Sequence, residues 1–336
     1  MSKTLCQDHL FNTANPKLLA QSEKIVTESE SLGKGLPIQI LDEFKAVQQK
    51  INCYYLLKLQ SKHIHTQSID DVFLPKPIFS KNSDIYGNQK SIFLYIQLQE
   101  FLKDHHQIDS TIYQNQTFAM IEESLHLQAL FEPREKIKGS LTIPDCHTVQ
   151  QKMLGTLELF YTYGLEAKIA DLIMFDYLFS QALPSYGVWY ISKVLYQNSM
   201  ELEKFAQDIE RGYLTGFQEF MFTIAQTEIQ TVDSYLRLPY LYEKLMHYIE
   251  YTRSPYYQDT PLPKHTAILT KELLLRGEIK RGEVKHIIDK EQRTATNLIS
   301  ELLRQDYITT DSPKGAIRLK FNLQMATFVF PKVLRK

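Results

Sequence analysis

Residues 292–304, Gln292-Arg293-Thr294-Ala295-Thr296-Asn297-Leu298-Ile299-Ser300-Glu301-Leu302-Leu303-Arg304, decide the reading of the C-terminal part of this chain. Ala295, Leu298, Ile299, Leu302 and Leu303 recur at i, i+3, i+4, i+7 and i+8, which predicts a helix from about Glu291 to Arg304 with that stripe buried. Arg293, Thr294, Thr296 and Asn297 then face outward along its N-terminal half. Working outward, Asp289-Lys290 reads as a tight turn, residues 280–288 as a short helix, and Thr266 to Leu275 as a first helix that stops before Arg276-Gly277. On the other side, Tyr307-Ile308-Thr309-Thr310 alternates, Asp311-Ser312-Pro313-Lys314-Gly315 is a turn, and residues 316–321 alternate again with Arg318 and Lys320 on one face.

Three helices followed by a basic hairpin make the plan of a winged helix-turn-helix domain. In such a layout the last helix enters the major groove and wing cations meet phosphates. Arg293 and Asn297 have the donor geometry for guanine and adenine edges. Thr294 and Thr296 lie beside them, and Arg281, Lys314 and Arg318 supply charge for the DNA backbone. DNA is therefore the expected partner. Winged helices also dock proteins, so a protein partner, a homodimer, or a scaffold whose basic wing packs on an acidic domain stay open.

The basic character is local. Residues 265–336 hold 14 Lys/Arg against 8 Asp/Glu, whereas residues 1–264 hold 24 against 31, so a formal total of −1 conceals +6 and −7. Pro255, Pro261 and Pro263 interrupt the helical periodicity between these regions. The expected division is a helical domain over 1–253, a linker over 254–264 and the winged helix over 265–336. With 336 residues, 43% hydrophobic and 23% charged, the chain is long enough for two such cores and has neither disordered nor fibrous composition. Upstream, helical spacing recurs over Leu41–Leu59, Ile92–Leu102, Thr117–Leu130, Val149–Phe160, Ala167–Phe179, Ile191–Ile209, Phe217–Val232 and Tyr240–Tyr251. Connections are expected at 74–77, 84–88, 132–133, 142–145 and 183–187, with one short hairpin arm over 138–143. The fold class is mainly α. Cys6, Cys53 and Cys146 stand far apart, which fits a reducing cytoplasm. The first residues carry no apolar run behind a basic end, and no 18-residue apolar stretch occurs, so neither a secretory leader nor a membrane contact is expected.

The C-terminal run, with Arg276-Gly277-Glu278 and Arg281-Gly282-Glu283, Arg293-Thr294-Ala295, and Asp311 to Gly315 leading into Arg318-Leu319 and Phe321, resembles the winged helix that closes one group of bacterial Fic (Fido) proteins. Weaker, collinear similarity covers residues 188–198, 212–214 and 217–224, which look like the helices following the Fic active site. Residues 52–65 and 70–72 look like the region holding the family's inhibitory helix. The resemblance implies a Fic-like helical bundle ahead of the winged helix. Fic enzymes transfer AMP from ATP to a hydroxyl through HPFx(D/E)GNGR, in which the His is the base, the acid holds Mg²⁺, the turn binds phosphate and the Arg clamps an anion. This chain has no His-Pro pair. One register puts Phe160 at the base, Gly164 at the metal ligand and Leu165-Glu166-Ala167-Lys168 at GNGR; another puts Ala182 at the base and keeps only Gly187. The inhibitory (S/T)xxxE(G/N) falls at Leu56 to Ser61 and is lost as well. Loss of catalyst and inhibitor together implies a non-catalytic regulator. Adenylyl or phosphoryl transfer through unconventional residues is the alternative, and ATP with Mg²⁺ would be its only cofactors, held near Lys168 and Glu166.

No other metal or cofactor is expected. His63 with His65, and His105-His106, lack a third ligand at a fixed spacing. Gly33-Lys34-Gly35 lacks phosphate-loop spacing and reads as a turn. Glu122, Glu123 and His126 read as ordinary surface pairing on one helix face. Trp189 with Tyr186, Tyr190 and Tyr196 reads as core more readily than as a base-stacking site.

Overall fold

The structure, a computed structural model, describes residues 15–59, 66–73, 77–104, 148–163, 179, 183, 185, 187–207 and 214–331. It is mainly α-helical. The helices are α1 (Pro16–Ser31), α2 (Ile38–Leu59), α3 (Thr66–Val72), α4 (Ser83–Asp104), α5 (Val149–Tyr163), α6 (Ser192–Gln197), α7 (Ser199–Gln207), α8 (Leu214–Tyr235), α9 (Leu238–Tyr251), α10 (Thr266–Arg276), α11 (Val284–Ile287), α12 (Gln292–Arg304) and α13 (Leu323–Val329). Strands β1 (Glu278–Ile279), β2 (Ile308–Thr309) and β3 (Ile317–Leu319) are the ones among the described residues. The expected helix over 117–130, nearly all of that over 167–179, and the hairpin arm over 138–143 lie outside them. The chain forms two compact units, Met1–Glu30 with Asn52–Gln230, and Ser31–Ile51 with Thr231–Lys336.

In the first unit α1 lies along α8 in the same direction. Lys17 pairs with Glu219 at 2.6 Å, and Gln226 donates to Glu28 at 3.1 Å. The core is aromatic around Phe217, whose ring meets Tyr161 at 5.1 Å, Phe205 at 5.6 Å and Phe160 at 6.3 Å. Residues 84–88, expected as a connection, lie inside α4. Asn82 Oδ1 accepts from Ile85 N at 3.4 Å and caps the helix start. Gly87 costs about 1 kcal/mol against Ala, less than burial of Ile92, Tyr95 and Leu98 returns. The single helix expected over 191–209 is broken at Asn198, whose side-chain amide donates to Val194 O at 2.7 Å and competes with the backbone ladder.

In the second unit, α10 is followed by β1, a 3₁₀ turn (Arg281–Glu283), α11, α12 and the β2–β3 hairpin. The sheet is antiparallel with order β1-β3-β2 and register Ile279↔Ile317, Ile308↔Leu319 and Thr309↔Arg318. Ile317 and Leu319 are buried while Arg318 between them is half-buried, as a pleat of period two requires. Ala295, Leu298, Ile299 and Leu302 of α12 are buried. Asp289 and Asp306 turn the chain at either side of α12 with φ of 51° and 55°, a conformation that short polar side chains tolerate. Phe330, fully buried, joins this module to the rest of the unit: its ring lies 5.1 Å from Phe44, 5.4 Å from Tyr235 and 5.7 Å from Phe321. Residues 254–264, expected as a linker, run within this unit. Buried Thr252 donates to Ile249 O at 2.7 Å and accepts from Leu262 N at 3.3 Å, so the segment returns on itself.

Candidate nucleic-acid interface

The strong amphipathicity of α12 fixes which side chains it offers. With its apolar stripe buried, Arg293, Thr294, Thr296 and Asn297 are exposed, and Arg293 and Asn297 stand one turn apart on the same face. Thr296 uses its hydroxyl locally, donating to Gln292 O at 2.9 Å. The C-terminal half of α12 is internally neutralised. Glu301 accepts from Arg304 and from Gln305 at 2.6 Å, and these bonds hold its carboxyl down to about 2. Arg293 has no ion-pair partner among the described residues, nor has exposed Lys290 just before the helix.

The hairpin is different. Lys314 is exposed at the β2–β3 turn, where Gly315 N donates to Ser312 O at 3.0 Å. Arg281 is half-buried and its Nε donates to Gly315 O at 3.2 Å, so its first task is to tie the 3₁₀ turn to the hairpin turn. Arg318 is ion-paired with Asp311, and Lys320 with Asp306 at 2.6 Å. Glu43, from α2, lies near the same strand, where Lys320, Arg318 and the backbone of Phe321 favour its charged form. Burial nevertheless outweighs them and raises its pKa. The sequence groups seven side chains as one DNA-contacting set. In the structure Arg293, Thr294, Asn297 and Lys314 are outward, whereas Thr296, Arg281 and Arg318 have partners inside the module.

In the first unit, Phe160 is buried within α5 and carries no atom that can take a proton. Lys168, Glu166 and the alternative base position Ala182 lie outside the described residues, as do His63, His65, His105, His106, Glu122, Glu123 and His126. Among the described residues no group of three His, Cys, Asp or Glu side chains could hold a metal. Gly33 and Gly35 both have positive φ, and Leu36 N donates to Gly33 O at 3.0 Å, the geometry of a turn. Trp189 and Tyr190 are buried, with Trp189 Nε1 donating to Ser185 Oγ at 2.9 Å, so that ring is closed to a stacking base. Tyr186 lies outside the described residues.

One polar cluster escapes sequence reasoning. Lys193 Nζ sits 2.7 Å from both carboxylate oxygens of Glu228, with both side chains buried. Beside Lys193 in the chain, Ser192 donates to Asn52, which in turn donates to the Tyr95 hydroxyl at 3.2 Å. Burial raises the Glu228 pKa and Lys193 opposes the rise. Partners so far apart in sequence leave no periodic signal to find them by.

In comparisons with known proteins, no family model matches the chain and no curated protein matches it. No helix among the described residues is long and apolar enough to cross a membrane.

Proposed function

We propose that the protein is a non-catalytic regulator that binds duplex DNA through α12, whose exposed Arg293, Thr294 and Asn297 read base edges in the major groove. The order helix, strand, helix, helix, hairpin is compatible with a winged helix, in which α12 would be the recognition helix. The observation that carries the proposal is the outer face of α12: one cation without an ion-pair partner among the described residues and an amide one turn away, held by a fully buried inner stripe. Charge supports it. The second unit holds 21 Lys/Arg against 14 Asp/Glu, a net of +7, while the first holds 17 against 25, a net of −8. Lys and Arg of a basic unit displace the cations condensed on DNA phosphates, and the release of those counterions drives association. The partner is thus a polyanion with a major groove.

Arg293→Ala with Asn297→Ala is expected to weaken binding to a selected duplex by about 30-fold or more, because each base-reading contact is worth about 1–3 kcal/mol. Competition binding against random duplex measures it. Unchanged discrimination between the selected and random duplexes overturns groove reading by α12.

A further inference from the structure

The wing strand carries the cations that a winged helix would be expected to turn toward phosphates, yet each has an intramolecular anion. Arg318 is paired with Asp311 and Lys320 with Asp306 at 2.6 Å. Both acids flank the strands of the hairpin, Asp306 just before β2 and Asp311 in the turn after it.

We infer that Asp311 and Asp306 form an autoinhibitory charge clamp that withholds the wing cations Arg318 and Lys320 from DNA phosphates, so that the resting module engages DNA through α12 and the exposed Lys314 of the hairpin turn. This rests on the DNA-binding reading given above and adds a regulatory element to it. The pairs are only partly buried, and ion pairs of that kind are individually weak. Phosphate therefore competes with the clamp, and the expected effect is a few-fold change in affinity rather than a switch of many orders.

The test is salt-dependent duplex binding by the whole chain, comparing wild type with Asp311→Asn and Asp306→Asn after cooperative melting of each establishes folding. Each cation that is freed steepens the fall in affinity between 50 and 200 mM salt by about 3-fold and raises affinity at 50 mM by about 3- to 10-fold. The gain from Asp311→Asn is expected to vanish when Arg318→Ala is added, which separates release of that cation from a general loss of negative charge. Wild-type affinity and salt slope in both variants, or a gain that persists without Arg318, overturn the clamp while leaving α12 binding in place. If neither wild type nor variants bind duplex, the DNA-binding reading falls and the clamp with it. If only the variants bind, the clamp is supported in its strongest form.

Discussion

Lys193 and Glu228 hold opposite charges in the interior of the first unit, bonded at 2.7 Å through both carboxylate oxygens. Desolvating two ions costs nearly as much as their attraction returns, so the intact pair adds little net stability, whereas an orphaned partner is expensive. Lys193→Met should cost about 3–5 kcal/mol in urea unfolding at pH 7. Because burial raises the Glu228 pKa, that loss should shrink as the pH is lowered and the carboxyl takes up a proton. Adding Glu228→Leu should recover most of it. Glu43 obeys the same sign. Its folded pKa lies above its ordinary value, so its contribution to stability is fullest below that value and declines as pH rises through the folded pKa. Glu43→Gln removes the charge that burial disfavours and should flatten the stability profile between acid and neutral pH, with a higher melting temperature at pH 7. Gly277 is constrained differently. With φ of 77° and Pro37 Cβ at 2.8 Å from where a methyl group would stand, Gly277→Ala should destabilise the second unit by more than the about 1 kcal/mol at which point mutations centre.

At the scale of elements, periodicity located what it can encode. The stripe of Ala295, Leu298, Ile299 and Leu302 was readable because one helix face buries every one of them, and the hairpin because Ile317, Arg318 and Leu319 alternate. Elements whose cues were weaker were missed. β1 is two residues long and exists through its partner β3, and α13 is announced only by Asn322, whose side chain accepts from Met325 N at 2.8 Å. α1 also passed unnoticed, because its buried face alternates apolar Leu18 and Ile25 with Ser22 and Ser29. The candidate site divides in the same way. That Arg293 and Asn297 point outward follows from the helix alone, but the pairing of Arg318 with Asp311 and the approach of Glu43 depend on tertiary structure that local pattern does not contain. α2 illustrates the limit, since its first half gives Gln39, Glu43 and Phe44 to the second unit, and its residues from Asn52 onward belong to the first. Truncating Phe44 to Ala should cost about 3–5 kcal/mol by removing the edge-on partner of Phe330, measured as a shift in the urea midpoint.

For the whole molecule, net charge is a poor guide until it is assigned to compact units, because −8 and +7 nearly cancel. Residues 31–51 add three basic and two acidic side chains to the C-terminal unit, and the division drawn from prolines alone leaves them out. If the protein is non-catalytic, as proposed, incubation with labelled ATP and Mg²⁺ should leave this chain and added protein substrates without covalent label. A label on either would restore transfer as the function. The two-part make-up of the second unit also sets an order on its birth. Ser31–Ile51 leaves the ribosome well before Thr231–Lys336, which must cover Phe44 and receive Gln39. At about 5–20 residues per second this helix half waits on the order of ten seconds or more with its apolar face unclaimed. Nascent chains halted before residue 330 should therefore be bound by chaperones through α2, and the second unit should become compact only after residue 330 has been made.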